Sequence, residues 1–376
     1  MRITFIAQSV DNRTGIGRVV LNLAREFVRS DHVPSIVAQQ TEDIPSEVTV
    51  KHVASFPMLS ALNKLCFRLD STTQIESAQS DVTIAFGVGH KADIVVAGSC
   101  HKAGMEIRKK FRTNLRWRRN AGLYDGISLQ DEKRLLTGSR TRRIVAVSNL
   151  VKNQITQYYA VQRKKIVVIP NGVAPDWFES IKKDGFRASF GFKEEDTVIL
   201  FAGNEFDRKG LETVINALTH LPSHCRLLVL GDDDSSFYAK KARQLNVSER
   251  VTFIGSQPDP RSAFAAADIL VLPSVYEPFG MVIPEAMAAG VPIIVSKMCG
   301  AVEGLEHGEH GFFLHDPLSS DELTKYVRVL MENDALKQRI VGNARSRVRE
   351  LLWENVANQF LNLCEEVLQE RNGMRD

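Results

Sequence analysis

Short runs of apolar, often β-branched residues alternate with helix-like segments along most of this chain. In the first half the runs are RITFIAQS, VTIAFGV, DIVVAGS and RRIVAVS, and in the second half they are TVILFAGN, RLLVLGD, VTFIGS, DILVLPS and VPIIVS. Each run ends near Gly, Ser or Asn, which is typical of a short buried strand that leads into a turn. Strands that alternate with helices predict parallel sheets and an α/β architecture.

The length of the chain favours two domains, because 376 residues exceed a typical single domain. The stretch KIVVIPNGVAPDWF, residues 165–178, places two prolines, an asparagine and a glycine close together and is the best candidate for a linker. We therefore predict two doubly wound domains, residues 1–170 and 171–354. Ligands of such domains bind outside the carboxyl ends of the strands.

Charged residues are unevenly divided between the two halves. Residues 1–170 carry 26 Lys and Arg against 14 Asp and Glu, a net charge of +12, whereas residues 171–376 carry 22 against 31, a net charge of −9. The halves are therefore expected to meet different partners. The basic half could face nucleic acid, an anionic membrane or a phosphorylated substrate.

The cysteines and the hydropathy of the chain indicate in which compartment the protein resides. The five cysteines are scattered without metal-ligand spacing, which indicates a reducing compartment and argues against a disulfide framework or a zinc site. The chain contains no apolar run of about 18 residues, so we predict no transmembrane helix. The opening MRITFIAQSVDN turns polar too early for a signal peptide and is predicted to be the first strand.

The segment EPFGMVIPEAMAAG, residues 277–290, sets two glutamates eight residues apart around the start of a short helix. Glu277 follows the strand DILVLPSVY, and Pro284 suits the first turn of a helix, where its missing N–H costs nothing. Backbone N–H groups at a helix start form an anion site, which is expected here near Phe279, Gly280 and Met281.

Each glutamate has a functional and a structural interpretation. Glu277 can accept hydrogen bonds from hydroxyl groups, and Glu285 can accept two from a vicinal diol such as a ribose. In the alternative interpretation, Glu285 only complements the helix dipole and Glu277 is solvated. Residue spacing alone leaves both interpretations open.

Several segments together resemble one enzyme family. EPFGMVIPEAMAAGVP resembles the Glu–seven residues–Glu motif of retaining glycosyltransferases with the GT-B fold, notably glycosyltransferase family 4. FAGNEFDRKGLETVINAL, VTFIGSQPD and CGAVEGLEHGEHGFF are similar to further elements of that family in the same order, over about residues 140–312. The resemblance implies two Rossmann-like domains that face a central cleft, with a C-terminal helix at 355–376 that packs back on the first domain.

The resemblance assigns the donor substrate mainly to the second domain. It implies that Glu285 holds the ribose of a nucleotide and that Glu277 contacts hydroxyls of the donor sugar. It implies that Arg208 and Lys209 bind the diphosphate, so that two cations neutralise the leaving group without a metal. A solvated helix start is the alternative for these cations, although a helix N-terminus disfavours positive charge. Backbone contacts to the sugar or phosphates are implied at Phe279, Gly280 and Met281, and contacts to the base at Ile254 and Gly255.

Two features of the first domain are also assigned by the resemblance. Gly15 and Gly17, in TGIGR between a strand and a helix, would lie against the diphosphate and donor sugar, although glycines also form ordinary tight turns. His101 falls where many members place an active-site histidine, often followed by Asp, whereas Lys102 follows it here. The implied role of His101 is contact with the donor sugar, and the alternative is a surface histidine.

No metal or further cofactor is expected. The run GDDD, residues 231–234, lies in a loop where this fold is not expected to bind a metal, so solvated carboxylates are the preferred interpretation. Retaining enzymes of this family lack an agreed protein nucleophile. We therefore name no general base, and the leaving phosphate is expected to help deprotonate the acceptor.

The segment EIRKKFRTNLRWRRN is strongly basic, with seven Lys and Arg and no acidic residue at 108–119. Ile107, Phe111 and Leu115 recur every four positions, which predicts an amphipathic helix suited to an anionic membrane or a phosphorylated lipid acceptor. A core-packing helix with a solvated basic face is one alternative. Nucleic acid is another, but no nucleic-acid motif accompanies the segment, so none is expected. The membrane or acceptor patch comprises Arg108, Lys109, Lys110, Phe111, Arg112, Arg116, Trp117, Arg118 and Arg119.

The combined expectation is a metal-independent, retaining hexosyltransferase in the cytoplasm, peripheral on the inner face of the cytoplasmic membrane. Its donor would be a nucleotide diphosphate sugar, specifically a UDP-sugar. Its acceptor would be a cell-envelope glycan or glycolipid, specifically lipopolysaccharide core, because GNEFDRKG is similar to the phosphate loop of the enzymes that build that core. A nucleotide-sugar epimerase and a catalytically silent nucleotide-sugar-binding subunit are the alternatives.

Overall fold

A computed structural model of the chain describes residues 1–54, 67, 70–71, 73–74, 79–87, 92–111, 123–179 and 183–373. The chain forms two compact units. The first comprises Met1–Gly172 and Trp353–Asp376, and the second comprises Val173–Leu352.

The strands of both units are short. In chain order they are β1 Arg2–Ile6, β2 Ser9–Val10, β3 Val33–Ala38, β4 Gln40–Thr41, β5 Thr49–His52, β6 Val82–Phe86, β7 Ile94–Ala97, β8 Arg143–Ala146, β9 Ile166–Val168, β10 Thr197–Ala202, β11 Cys225–Leu230, β12 Val251–Gly255, β13 Ile269–Leu272, β14 Ile293–Ser296 and β15 Phe312–Leu314.

The α-helices lie between the strands and after the last of them. They are α1 Gly15–Arg29, α2 His101–Lys110, α3 Leu123–Thr137, α4 Asn149–Tyr158, α5 Lys183–Ser189, α6 Phe206–Lys209, α7 Leu211–Leu218, α8 Ser236–Gln244, α9 Arg261–Ala266, α10 Val282–Ala289, α11 Ser320–Glu332, α12 Asp334–Val348 and α13 Trp353–Asn372.

The first unit is built on a seven-stranded sheet in the order β5-β3-β1-β6-β7-β8-β9, and every strand pairs in parallel with its neighbours. All residues of β6 and β7 are buried. Strands that are covered on both faces need continuous apolar runs, which is why their sequences do not alternate. The strand order changes direction between β1 and β6, so the end of β1 is the switch point of this sheet.

The second unit contains a six-stranded parallel sheet in the order β12-β11-β10-β13-β14-β15. Counted from β10, this is the doubly wound order 3-2-1-4-5-6, with its switch point between β10 and β13. The predicted α/β class, with two doubly wound parallel sheets, is therefore confirmed.

The stretch at 165–178 is not a linker throughout. Ile166–Val168 forms β9, which pairs with β8 at the edge of the first sheet. The chain passes to the second unit only after Gly172, over which the indole of Trp353 lies. A Cβ at Gly172 would stand 2.4 Å from Cδ2 of that indole, so only glycine fits there.

The C-terminal helix α13 belongs to the first unit. It packs on α1, the Arg143 guanidinium pairs with Glu370, and Arg371 donates to the Asp81 carbonyl at 2.7 Å. Across the described part of the chain, no helix is both long and apolar enough to cross a membrane.

Candidate active site

The loop that follows β10 lies at the switch point of the second sheet and carries two cations. Gly203 has a φ of +125°, and a Cβ on it would stand 2.5 Å from Lys209 Nζ. The helical turn α6 then places Arg208 and Lys209, and Gly210, with a φ of +80°, ends it against the Pro273 carbonyl. The Lys209 side chain can fold back over the loop because position 203 has no side chain.

Both cations converge on one carboxylate oxygen. Glu277 Oε2 lies 3.1 Å from Arg208 Nη1 and 3.1 Å from Lys209 Nζ. Glu205, on the rim of the loop, accepts from Arg208 Nη2 at 2.8 Å. Glu277 comes from the segment after β13, so the adjacency of β10 and β13 in the sheet brings together groups that are far apart in the sequence.

Burial makes this cluster electrostatically strong. Glu277 and Lys209 are each 8% exposed. Burial by itself would raise the pKa of Glu277, but Lys209 and Arg208 outweigh it and hold that pKa below its ordinary value. Burial would likewise lower the pKa of Arg208, whereas Glu277 and Glu205 raise it above its ordinary value. Glu277 and Arg208 are therefore held in their charged forms. The interpretation of Glu277 as a solvated carboxylate is wrong, because the residue is buried.

The loop that carries Glu277 is fixed on both sides by backbone hydrogen bonds. The Glu277 N–H donates to the Met298 carbonyl at 3.0 Å, and the Gly300 N–H donates to the Glu277 carbonyl at 2.9 Å. Gly280 has a φ of +93°, and a Cβ there would stand 2.9 Å from Cγ of Glu277. Glycine at 280 thus leaves room for the Glu277 side chain.

The segment after Glu277 contains the predicted anion-binding backbone, at residues 279–281, and the second glutamate, Glu285. The Phe279 carbonyl accepts from Ala301 at 2.9 Å, and the Gly280 and Met281 carbonyls accept from N–H groups in the first turn of α10. Glu285 lies in that first turn and is only 4% exposed. Gly290, with a φ of +76°, ends the helix.

The GDDD run is more than a set of solvated carboxylates. Asp233 Oδ2 accepts from the Phe206 N–H at 2.9 Å, at the start of the turn that carries the two cations. Asn204 Oδ1 accepts from the Asp232 N–H at 2.7 Å, which joins the loops after β10 and β11. Sequence reasoning missed this supporting role of Asp233, because the contact depends on which strands are neighbours.

The predicted base contacts lie at the end of β12. The Ile254 carbonyl accepts from Gln257 Nε2 at 2.6 Å, and the Gly255 carbonyl accepts from the Gly231 N–H at 3.0 Å.

Among the residues that the structure describes, no group of three or more His, Cys, Asp or Glu side chains could hold a metal ion.

In the first unit, the glycine pair lies at the start of α1. The Thr14 side chain caps that helix by accepting from the Gly17 N–H at 3.0 Å. A Cβ at Gly17 would stand 2.2 Å from the Asp11 carbonyl oxygen. The close approach seen at Gly17 is to the chain's own backbone. Contact of Gly15 and Gly17 with the diphosphate and donor sugar stays a prediction.

His101 is the first residue of α2 and is held by two acidic side chains. Its Nε2 lies 3.1 Å from Asp125 Oδ1, and its N–H donates to Glu132 Oε1 at 2.6 Å. Sequence reasoning missed Asp125 and Glu132. Their spacing of seven residues, which sets them on one face of α3, was the available signal.

The basic patch is only partly within the described residues. Helix α2 ends at Lys110, and Phe111 is its C-cap. Arg108 Nη2 lies 3.8 Å from Asp125, Lys109 pairs with Glu106 at 3.1 Å, and Lys110 Nζ lies 5.9 Å from the centre of the Phe111 ring. The remaining patch residues lie outside the described part of the chain: Arg112, Arg116, Trp117, Arg118 and Arg119.

A doubly wound domain with two anchored cations at its switch point, the buried Lys209 and the half-buried Arg208, is suited to an anionic ligand such as a nucleotide. Comparison with known families agrees with this class. The model of Glycosyltransferase Family 4 matches residues 13–177, and the model of Glycosyl transferases group 1 matches residues 182–347. The chain belongs to the glycosyltransferases of the GT-B fold.

Sequence alignments with individual relatives extend over only part of this chain. An uncharacterized glycosyltransferase of Methanocaldococcus jannaschii is 31% identical over 59% of this chain and 59% of its own length. The lipopolysaccharide glucosyltransferase WaaG of Escherichia coli is 29% identical over 50% of this chain and 53% of its own. These alignments thus span between half and three fifths of the curated relatives.

Solved structures match over nearly the whole fold. The structure of WaaG, described as a glycosyltransferase involved in lipopolysaccharide biosynthesis, has a TM-score of 0.81 at 21% identity and covers 96% of this chain and 99% of its own. The structure of Anabaena HepE in complex with UDP-glucose has a TM-score of 0.77 at 19% identity and covers 97% of this chain and 100% of its own. At these identities the likeness establishes the fold alone.

Proposed function

We propose that this protein is a retaining glycosyltransferase that moves a hexose from a nucleoside diphosphate sugar to a cell-envelope glycan or glycolipid. The observation that carries the proposal is the convergence of Arg208 and Lys209 on Glu277 at the switch point of the second sheet. The donor is a UDP-sugar, a choice that rests on the fold shared with the HepE complex. The acceptor is lipopolysaccharide core, a choice that rests on the similarity to WaaG.

The two cations act on the leaving group. As the bond between the sugar C1 and the phosphate oxygen breaks, negative charge builds on the nucleoside diphosphate, and the Arg208 and Lys209 side chains neutralise it. Because both are anchored before the ligand arrives, little reorganisation accompanies the step. These two cations would allow the reaction to proceed without a metal.

The remaining groups position the donor and the acceptor. Glu277 orients hydroxyls of the sugar, and the buried Glu285 carboxylate accepts from the ribose diol. The acceptor hydroxyl forms the new bond to C1 on the face that the phosphate leaves, which retains the anomeric configuration. The hydroxyl proton passes to the departing phosphate oxygen, so the step needs no protein base.

We further propose that the protein acts in the cytoplasm as a peripheral protein on the inner face of the cytoplasmic membrane. The basic patch defined above would meet the anionic surface, where a lipid-linked acceptor is found. Replacing Arg112, Arg116, Arg118 and Arg119 with Ser should abolish binding to vesicles that contain anionic lipid and leave donor binding intact.

A matched control removes the same charge elsewhere in the first unit. Lys133, Arg134, Arg163 and Lys164 are all exposed, and their replacement with Ser should leave vesicle binding in place. Vesicle binding that survives the first set of changes, or that is lost equally with both sets, contradicts the membrane role of the patch.

The function is tested by nucleotide release from UDP-, GDP- and ADP-sugars, with and without lipopolysaccharide-core acceptors truncated at successive sugars. We expect release from one donor that rises with one acceptor and that is lost in Lys209→Met. Interconversion of the donor without an acceptor would indicate an epimerase. Binding without release would indicate a silent subunit.

A further inference from the structure

The first unit contains a half-buried polar cluster that the proposed chemistry does not yet use. It consists of the start of α2, at His101, and one face of α3, which presents Asp125 and Glu132. The two acidic residues are seven positions apart, which is two turns of helix, so they contact His101 from one face.

Glu132 fixes the main chain of the histidine. Its carboxylate accepts from the backbone N–H of His101 at 2.6 Å and from that of Lys102 at 3.3 Å, and so satisfies two N–H groups at the start of α2. The Tyr159 hydroxyl also donates to Glu132. Burial and the Glu132 charge raise the pKa of Tyr159, so its hydroxyl stays protonated and remains a donor.

Asp125 fixes the ring. Its Oδ1 lies 3.1 Å from Nε2 of His101, and the residue is 8% exposed. The guanidinium of Arg108 is farther from this oxygen, at 3.8 Å. A carboxylate can only accept a hydrogen bond, so Nε2 carries the hydrogen, and in the neutral ring Nδ1 is then the nitrogen that can accept one.

We propose that Asp125 is a positioning residue that holds His101 in the tautomer with hydrogen on Nε2, so that Nδ1 receives a hydrogen bond from a hydroxyl of the donor sugar. This inference rests on the function proposed above. It does not make Asp125 a catalytic residue, because Asp125 acts on substrate only through the imidazole ring.

The test compares Asp125→Asn with a matched control, Glu106→Gln, in the full-length chain. Glu106 is a carboxylate of α2 itself, but it pairs with Lys102 and Lys109 and not with the histidine. The first readout is the tautomer of His101, taken from its ring ¹⁵N shifts and assigned with a His101→Gln variant. The second is the separate effect on kcat and on KM for the donor sugar.

In the wild type and in Glu106→Gln we expect hydrogen on Nε2. In Asp125→Asn the amide can donate as well as accept, so this preference should be lost and kcat should fall about tenfold or more. Asp125→Glu, which restores a carboxylate, should recover part of the tautomer preference and part of kcat. If Asp125→Asn fails to fold, Asp125→Ser, which has a smaller side chain, is tested by the same two measurements, the ring ¹⁵N shifts and the kinetic constants.

Unchanged ring shifts in Asp125→Asn would overturn the proposal, as would an equal loss of kcat in Glu106→Gln. The two readouts also separate this inference from the proposed function. A wild-type protein that transfers no sugar contradicts the function, whereas the tautomer still reports whether Asp125 holds the ring.

Discussion

Glu277→Gln should have opposite effects on stability and on nucleotide affinity, because the carboxylate neutralises the same cations that a diphosphate would use. Its Oε2 lies 3.1 Å from both cationic nitrogens. At an effective dielectric constant of about 20, each pair has a gross attraction of about 5 kcal/mol. Breaking a buried ion pair costs about 3–5 kcal/mol net. We expect about 3 kcal/mol less free energy of unfolding, since the glutamine oxygen still accepts.

The effect on affinity follows from the same geometry. A phosphate oxygen that contacts Lys209 Nζ lies within about 6 Å of the Glu277 carboxylate. The repulsion at that distance is about 1.4 kcal/mol at the same effective dielectric constant of about 20, if the phosphate oxygen carries about half a charge. Removing it should tighten nucleoside diphosphate binding about tenfold, although transfer is lost. Lys209→Met removes a charged hydrogen bond of about 1.5–3 kcal/mol and should weaken binding about 10- to 100-fold.

The assay is calorimetric titration of both variants with UDP, GDP and ADP, together with chemical denaturation. Asp196→Asn is the matched control, because Asp196 is a buried carboxylate that pairs with Arg226 at 3.2 Å just before β10. That change should reduce stability without altering affinity. Weaker nucleotide binding in Glu277→Gln, comparable to that in Lys209→Met, would refute the competition between carboxylate and phosphate.

Three further predictions concern the same unit. Glu285→Ala should weaken nucleotide binding, and unchanged affinity by calorimetry would remove its ribose role. Gly203→Ala should displace Lys209 and weaken nucleoside diphosphate binding about tenfold. Gly191 also has a positive φ, of +77°, but open space around it, so Gly191→Ala controls for backbone strain alone. Because folding lowers the pKa of Glu277, its stabilisation should be complete above the unfolded pKa of about 4.3 and should be lost as pH falls through the folded pKa. The free energies of unfolding of the wild type and Glu277→Gln, measured at a series of pH values, should therefore converge in acid. A difference between them that stays constant with pH would contradict the assignment.

The fold class could be predicted because the central strands are covered on both faces. Strands such as β6, β7 and β13 are buried at every residue, which leaves an uninterrupted apolar signal in the sequence. The outer strands give weaker signals. The edge strand β5, TVKH, is partly polar, and β9 is followed so closely by Pro and Gly that its segment resembles a linker.

The candidate site was predictable as a set of residues but not as an arrangement. The motif identifies Arg208, Lys209 and Glu277, yet their meeting at one oxygen depends on β10 and β13 being neighbours in the sheet. Asp233 and Asp125 show the same limit. Asp233 supports the turn that carries Arg208 and Lys209, and Asp125 contacts His101, each from another element. A single sequence does not indicate which loops meet.

The central claim is that the protein moves a sugar from a nucleoside diphosphate to an acceptor with retention. The most direct measurement follows a donor labelled with ¹³C at C1 by NMR in the presence of a lipopolysaccharide-core acceptor. The account predicts that the label enters a new glycosidic linkage with the anomeric configuration of the donor, and that Lys209→Met abolishes this transfer. Label that inverts its configuration, appears only in an epimer of the donor, or stays in the intact donor with every acceptor would contradict it.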